Sequence, residues 1–111
     1  MFKHEINPYS VSDKVTFRNV DKTLNLTVRA DAGRLVAGLK KANASISELT
    51  EESNECHQRN VAREFATVIF GEDQANQLMD FYDEPLTVIS VCGMYFQKRL
   101  AKKITKAQKA K

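Results

Sequence analysis

The sequence has no tryptophan, two cysteines, two prolines and four glycines. So little glycine and proline in 111 residues excludes collagen-like and low-complexity chains, and a hydrophobic share of 42% excludes a wholly disordered one. No run approaches the roughly 20 apolar residues that cross a bilayer. Met1-Phe2-Lys3-His4-Glu5 lacks the apolar stretch of a secretory signal, so a cytoplasmic protein without membrane contact is expected. In that setting Cys56 and Cys92, both in apolar-periodic segments, read as buried free thiols. His4 is the only histidine besides His57, so Cys56-His57 finds no second ligand pair at zinc spacing and no metal is expected.

The glycines, at 33, 38, 71 and 93, are too scattered for a phosphate loop, and no nucleophile elbow or His-Glu-x-x-His motif occurs. Adjacent Cys56 and His57 would point about 100° apart on a helix and cannot pair as nucleophile and base. The acid pairs Glu51-Glu52, Glu72-Asp73 and Asp83-Glu84 stand where helices begin, which suits the positive dipole end. The expectation is a protein that is not an enzyme, with no catalytic residue and no cofactor.

Charge is present but unevenly spread. From Lys98 onward there are seven basic residues and no acid, whereas residues 1–97 set ten basic residues against all fourteen acids, a net of −4. An acidic body with a basic end results. Lys98, Lys102, Lys106 and Lys109 follow helical spacing and form one row, with Arg99 and Lys103 beside it. Such a row suits the negative end of a helix, and it could also track phosphates without reading sequence.

Hydropathy patterning gives the elements. Val15 and Phe17, then Leu24, Leu26 and Val28, alternate with polar residues around the turn-prone Asn19-Val20-Asp21-Lys22, which predicts a hairpin over 14–20 and 23–30. Residues 1–13, with Asn7-Pro8, Ser10, Ser12 and Asp13, read as a flexible arm. Asp31 is a suitable N-cap for a helix bearing Ala32, Leu35, Val36, Leu39, Ala42, Ile46 and Leu49, with either a break near 43–53 or a continuous helix through it. A second helix is expected over 51–70, with Glu51, Glu52 and Glu55 in its first turns. Gly71 then stands at its C-terminal turn, and Asp73 caps a short helix through Tyr82. Pro85 opens a last helix over 85–106, with Asp83 or Glu84 as cap; Leu86, Ile89, Cys92, Gly93, Phe96, Leu100 and Ile104 lie along one side, and Val88, Val91 and Tyr95 widen that stripe in its first half. The expected fold is α+β, mostly helical: an N-terminal β-hairpin followed by three to four helices. It is one domain over 14–104, between the arm and a basic tail over 105–111.

A core this small invites completion by a second copy or a partner. The broad apolar stripes of 75–82 and 86–100 suggest a groove between the third and fourth helices. Leu78, Phe81, Tyr82, Tyr95 and Phe96 are its candidate contacts, and Phe81 stands apart from the Leu78/Tyr82 face.

The stretch Glu64-Phe65-Ala66-Thr67-Val68-Ile69-Phe70-Gly71-Glu72-Asp73-Gln74-Ala75-Asn76-Gln77-Leu78 resembles a pattern in the small tail assembly chaperones of long-tailed phages and prophages. The sharper part covers 68–82; the layout of hairpin, helices and Lys-rich end covers 14–111. The resemblance implies a non-enzymatic protein that coats the helical tape measure protein, helps recruit tail tube subunits and self-associates. The other readings are a small nucleic-acid-associated or regulatory protein acting through its basic end, and a structural component of the tail.

Overall fold

The computed structural model of the chain describes residues 10–50 and 52–109. An antiparallel hairpin of β1 (Ser10–Asn19) and β2 (Lys22–Asp31) leads into α1 (Ala32–Ser47), α2 (Glu55–Phe70) and α3 (Glu72–Tyr82). A final rod follows, made of α4 (Pro85–Tyr95), a π-helical stretch (Phe96–Leu100) and α5 (Ala101–Lys109). The fold is α+β and mostly helical, a hairpin followed by four helical rods.

Period-two alternation places Val11, Asp13, Val15 and Phe17 of β1 on the same face as Leu24, Leu26, Val28 and Ala30 of β2, with pairs such as Val15–Leu26 and Phe17–Leu24. This face packs on the helices, and Val11, Phe17, Leu26 and Val28 are buried. The strand starts at Ser10, so Ser10, Ser12 and Asp13 belong to the hairpin and not to an arm. The apolar alternation runs straight through Asp13, whose charge hides it. Residues 1–9 lie outside the described residues.

The loop between the strands is only Val20-Asp21. Val20 has φ 59° and is 95% exposed. A β-branched residue in that region is strained and gains no packing in return. Val20→Gly should therefore raise stability by about 1 kcal/mol in urea unfolding, the strain relieved slightly exceeding the entropy glycine adds to the unfolded chain. An unchanged or lower midpoint would refute strain at the tip.

Asp31 caps α1, its Oδ2 accepting the Arg34 N–H at 3.2 Å. Gly38 lets α1 close on α2: a Cβ there would stand 2.8 Å from Cγ1 of Val68. The helix breaks at 48–54 and is not continuous, so Leu49 lies beyond the end of α1. There the Ser53 hydroxyl accepts the Thr50 N–H (2.9 Å), the Thr50 hydroxyl accepts the Glu52 N–H (3.2 Å), and Asn54 Oδ1 accepts the His57 N–H (2.8 Å). These short side chains compete with helical hydrogen bonds. They delay α2 to Glu55, so Glu52 precedes the helix instead of standing in its first turn. Glu51 lies outside the described residues. Cys56 is exposed on that first turn, contrary to the expected burial, whereas Cys92 is buried; both are free thiols.

Gly71 ends α2 and begins α3, its N–H donating to the Thr67 carbonyl and its own carbonyl accepting from Ala75, both at 2.9 Å. Its φ of 88° is free to glycine, but ψ is 164° and not the helical value of a left-handed cap. Asp73 is not the cap. It sits with Glu72 inside the first turn, where both carboxylates face the positive dipole end. Asp83, left-handed at φ 65°, closes α3. Pro85 is the first residue of α4 as expected, and Glu84 holds the cap position without a side-chain hydrogen bond.

The last rod departs most from expectation. Its buried residues are Pro85, Val88, Cys92, Tyr95, Leu100, Ile104 and Ala107, while Leu86 is 53% exposed. The spacing Val88–Cys92–Tyr95 is helical, but the next step, from Tyr95 to Leu100, is five residues. The π turn absorbs that extra residue. An unbroken α-helix continuing from Tyr95 would instead aim Arg99 and Lys102 or Lys103 at the core. The rod continues to Lys109, so residues 105–109 are helical with Ala107 buried, and they are no loose tail.

Candidate partner-binding surfaces

The aromatic residues form a chain of ring contacts. Phe81 meets Tyr82 edge-on (4.9 Å between centroids), Tyr82 meets Phe17 (6.3 Å), Phe17 meets Phe70 (5.7 Å), and Phe70 stacks on Tyr95 (5.9 Å). This chain decides the standing of the expected contact residues. Leu78 is wholly buried and Tyr95 is 6% exposed, so neither offers a surface to a partner. Tyr82 is half-buried, and its hydroxyl donates to the Arg18 carbonyl at 2.7 Å. Burial pushes its pKa up, against the opposing hydrogen bond to Arg18. Phe81 is half-buried at the start of the chain, and its carbonyl accepts from Asn19 Nδ2 at 2.8 Å. Gln74 ties the other end of α3 to the hairpin. Its Oε1 accepts the Thr27 N–H (2.9 Å) and its Nε2 donates to the Thr27 carbonyl (2.7 Å), as a neighbouring strand would. On α3 and α4, Leu78, Met79, Val88, Cys92 and Tyr95 are thus part of the core.

The second cluster centres on Asp13. Its carboxylate, 6% exposed, accepts from the Tyr95 hydroxyl (2.8 Å) and from Arg99 Nη2 (2.7 Å), with Lys103 Nζ at 3.8 Å. Burial alone would raise the Asp13 pKa. The hydrogen bonds from Tyr95 and the Lys14 backbone, with the charges of Lys103 and Arg99, outweigh it and hold the carboxyl below its ordinary value. Tyr95 responds in the opposite direction: burial first, then the Asp13 carboxylate, push its pKa far up. Burial also pushes the Cys92 thiol up to about 12, so it stays protonated and unreactive. Two members of the expected basic surface, Arg99 and Lys103, are thus engaged within the chain. Lys98, Lys102, Lys106 and Lys109 are exposed and form no ion pair among the described residues.

A cleft of about 460 Å³ opens between α1 and α5. Val36, Leu39, Ile46, Phe65, Phe96, Ala101 and Ile104 give it an apolar floor, and Lys40, Asn43, Thr105 and Gln108 form its rim. Ala101 and Thr105 also border the row of Lys102, Lys106 and Lys109, so one bank of the cleft is cationic. Of the expected contacts, only Phe96 lies here. The cleft brings together residues of α1 and α5 that lie far apart in sequence, which no local spacing reveals. One local signal existed: Val36, Leu39, Asn43 and Ile46 share a face of α1 beside the fully buried stripe of Ala32, Leu35 and Ala42.

No protein-family model matches the chain, and no curated protein and no solved structure matches it either. Among the described residues no helix is long and apolar enough to cross a membrane, and no group of three or more histidine, cysteine or acidic side chains could hold a metal ion.

Proposed function

We propose that the chain is a non-enzymatic tail assembly chaperone of a phage or prophage, and that the α1–α5 cleft receives a helical segment of the tape measure protein. The cleft carries this reading. Its size and apolar floor suit two large side chains spaced one turn apart on a helix, and its cationic bank suits acids flanking them. The Gly71-centred turn between two helices, which resembles that family's pattern, adds support.

The test is co-expression with the tape measure protein of the same phage or prophage, followed by the soluble, co-purified fraction. The parent chain should hold the client in solution. Asn43→Trp, which fills the cleft from its exposed rim, should abolish co-purification. Phe81→Ser, at the far end of the aromatic chain, should leave it intact. Undiminished co-purification with Asn43→Trp would refute the cleft as the client site.

The free row Lys98, Lys102, Lys106 and Lys109 favours a second reading, non-specific contact with nucleic acid. Four phosphate contacts should make such binding fall steeply with salt, by a log–log slope of roughly −3 to −4. Docking in the apolar floor should lack that slope.

A further inference from the structure

We infer that the outer face of α4 is a docking surface for a second copy of the chain, the two α4 helices packing antiparallel about a two-fold axis. The segment Pro85–Tyr95 contains no charged residue. Opposite its buried side, Leu86, Ser90, Gly93 and Met94 form one stripe; Leu86 is 53% exposed and Met94 50%. They are two of the three large hydrophobic side chains that stand exposed among the described residues, and the third is strained Val20 at the hairpin tip. A solvated face of a surface helix normally carries charge, which this one lacks.

Gly93 gives a second, independent sign. A mid-helix glycine costs roughly 1 kcal/mol relative to alanine. Gly38 has a reason within the chain, the approach of Val68, but a Cβ at Gly93 would meet nothing within 4 Å. Glycine there serves no contact in the monomer. It would let a second backbone come close.

Charge selects the occupant and its direction. Asp80, Asp83 and Glu84 stand at the N-terminal end of the stripe, and Lys98 and Lys102 at the other end. All five are exposed, and none makes an ion pair among the described residues. A parallel partner would oppose acid to acid. An antiparallel copy centred on Ser90 sets Leu86 against the partner's Met94 and brings Asp83 and Glu84 within about a turn of the partner's Lys98. Such an interface is self-complementary and closes as a dimer. It does not rest on the client reading, because the α1–α5 cleft lies elsewhere.

Sedimentation of the full chain over about 1–300 μM tests it. The parent should form a dimer with a dissociation constant in the micromolar range, loosening as salt rises. Gly93→Gln should weaken dimerisation at least about tenfold while raising the melting temperature of the monomer, since helix propensity improves and nothing is displaced. Glu84→Lys and Lys98→Glu should each remain monomeric alone, yet pair with one another when mixed, because both inter-chain contacts become attractive again. A parent chain monomeric at every concentration would overturn the inference. So would a dimer indifferent to Gly93→Gln, or charge variants that fail to pair; either places the interface on another surface. A parent chain that dimerises yet fails to hold the client in solution would count against the cleft alone.

Discussion

Asp13→Ala should destabilise the fold by about 2–3 kcal/mol, lowering the melting temperature by roughly 10 °C. Most of that loss comes from one atom. The Tyr95 hydroxyl is buried beside Phe70, and Asp13 is its partner. Without the carboxylate, a buried donor is left unsatisfied, at a cost of about 1–3 kcal/mol. The ion pairs contribute less, because the Arg99 side chain is 54% exposed and water screens it, and Lys103 stands at 3.8 Å. Pairing Asp13→Ala with Tyr95→Phe should therefore recover about 1 kcal/mol relative to the sum of the single losses. Strictly additive losses in urea unfolding would refute the dependence of Tyr95 on Asp13.

The same contact fixes a pH dependence. The Asp13 carboxyl is held below its ordinary value in the folded chain, so its stabilisation is fully present above the unfolded carboxyl's pKa. It is lost as pH falls through the lower folded value. Asp13→Asn should flatten the acid limb of stability against pH, and an unchanged limb would mean that other carboxylates set it.

The hairpin and the start of α1 were legible because a single rule governs each. Alternation sets the strand faces, and Asp31 next to an apolar periodic run marks an N-cap. The start of α2 was not, because Glu51, Glu52 and Asn54 all suit a helix start. The choice among them rests on the Thr50–Ser53 turn, a three-dimensional contact. Asp13 reads as part of the arm because a charge within an apolar alternation looks like the end of a strand. Its partners Tyr95 and Arg99 lie more than 80 residues away. The wide apolar stripes of the third and fourth helices suggest a client groove between them. Width alone does not say which side of a helix meets its own chain. The structure turns Leu78 and Tyr95 inward and leaves Leu86 and Met94 outside.

Deleting Gln97 should leave stability within about 1 kcal/mol of the parent, whereas deleting Ser90 should cost about 5 kcal/mol or more. Both residues are exposed and both lie in the last rod. They differ in what the deletion does to the register. One residue fewer turns everything downstream by about 100° relative to everything upstream. At Ser90 the deletion falls upstream of Cys92 and Tyr95, and straightening the π turn restores the register only from Leu100 onward. With Pro85 and Val88 fixed in the core, Cys92 and Tyr95 swing away from it; burial of each such side chain is worth about 1.5–3 kcal/mol, and the Tyr95–Asp13 hydrogen bond is lost as well. At Gln97 the surplus residue of the π turn is the one removed. The five-residue step from Tyr95 to Leu100 becomes an α-helical step of four, and Leu100, Ile104 and Ala107 keep their places. Arg99 moves one position closer to Tyr95, which its long and half-exposed side chain can accommodate at little expense. Thermal unfolding by circular dichroism separates the two deletions. Equal losses would mean that the π turn does not set the register between the apolar stripe of α4 and that of α5.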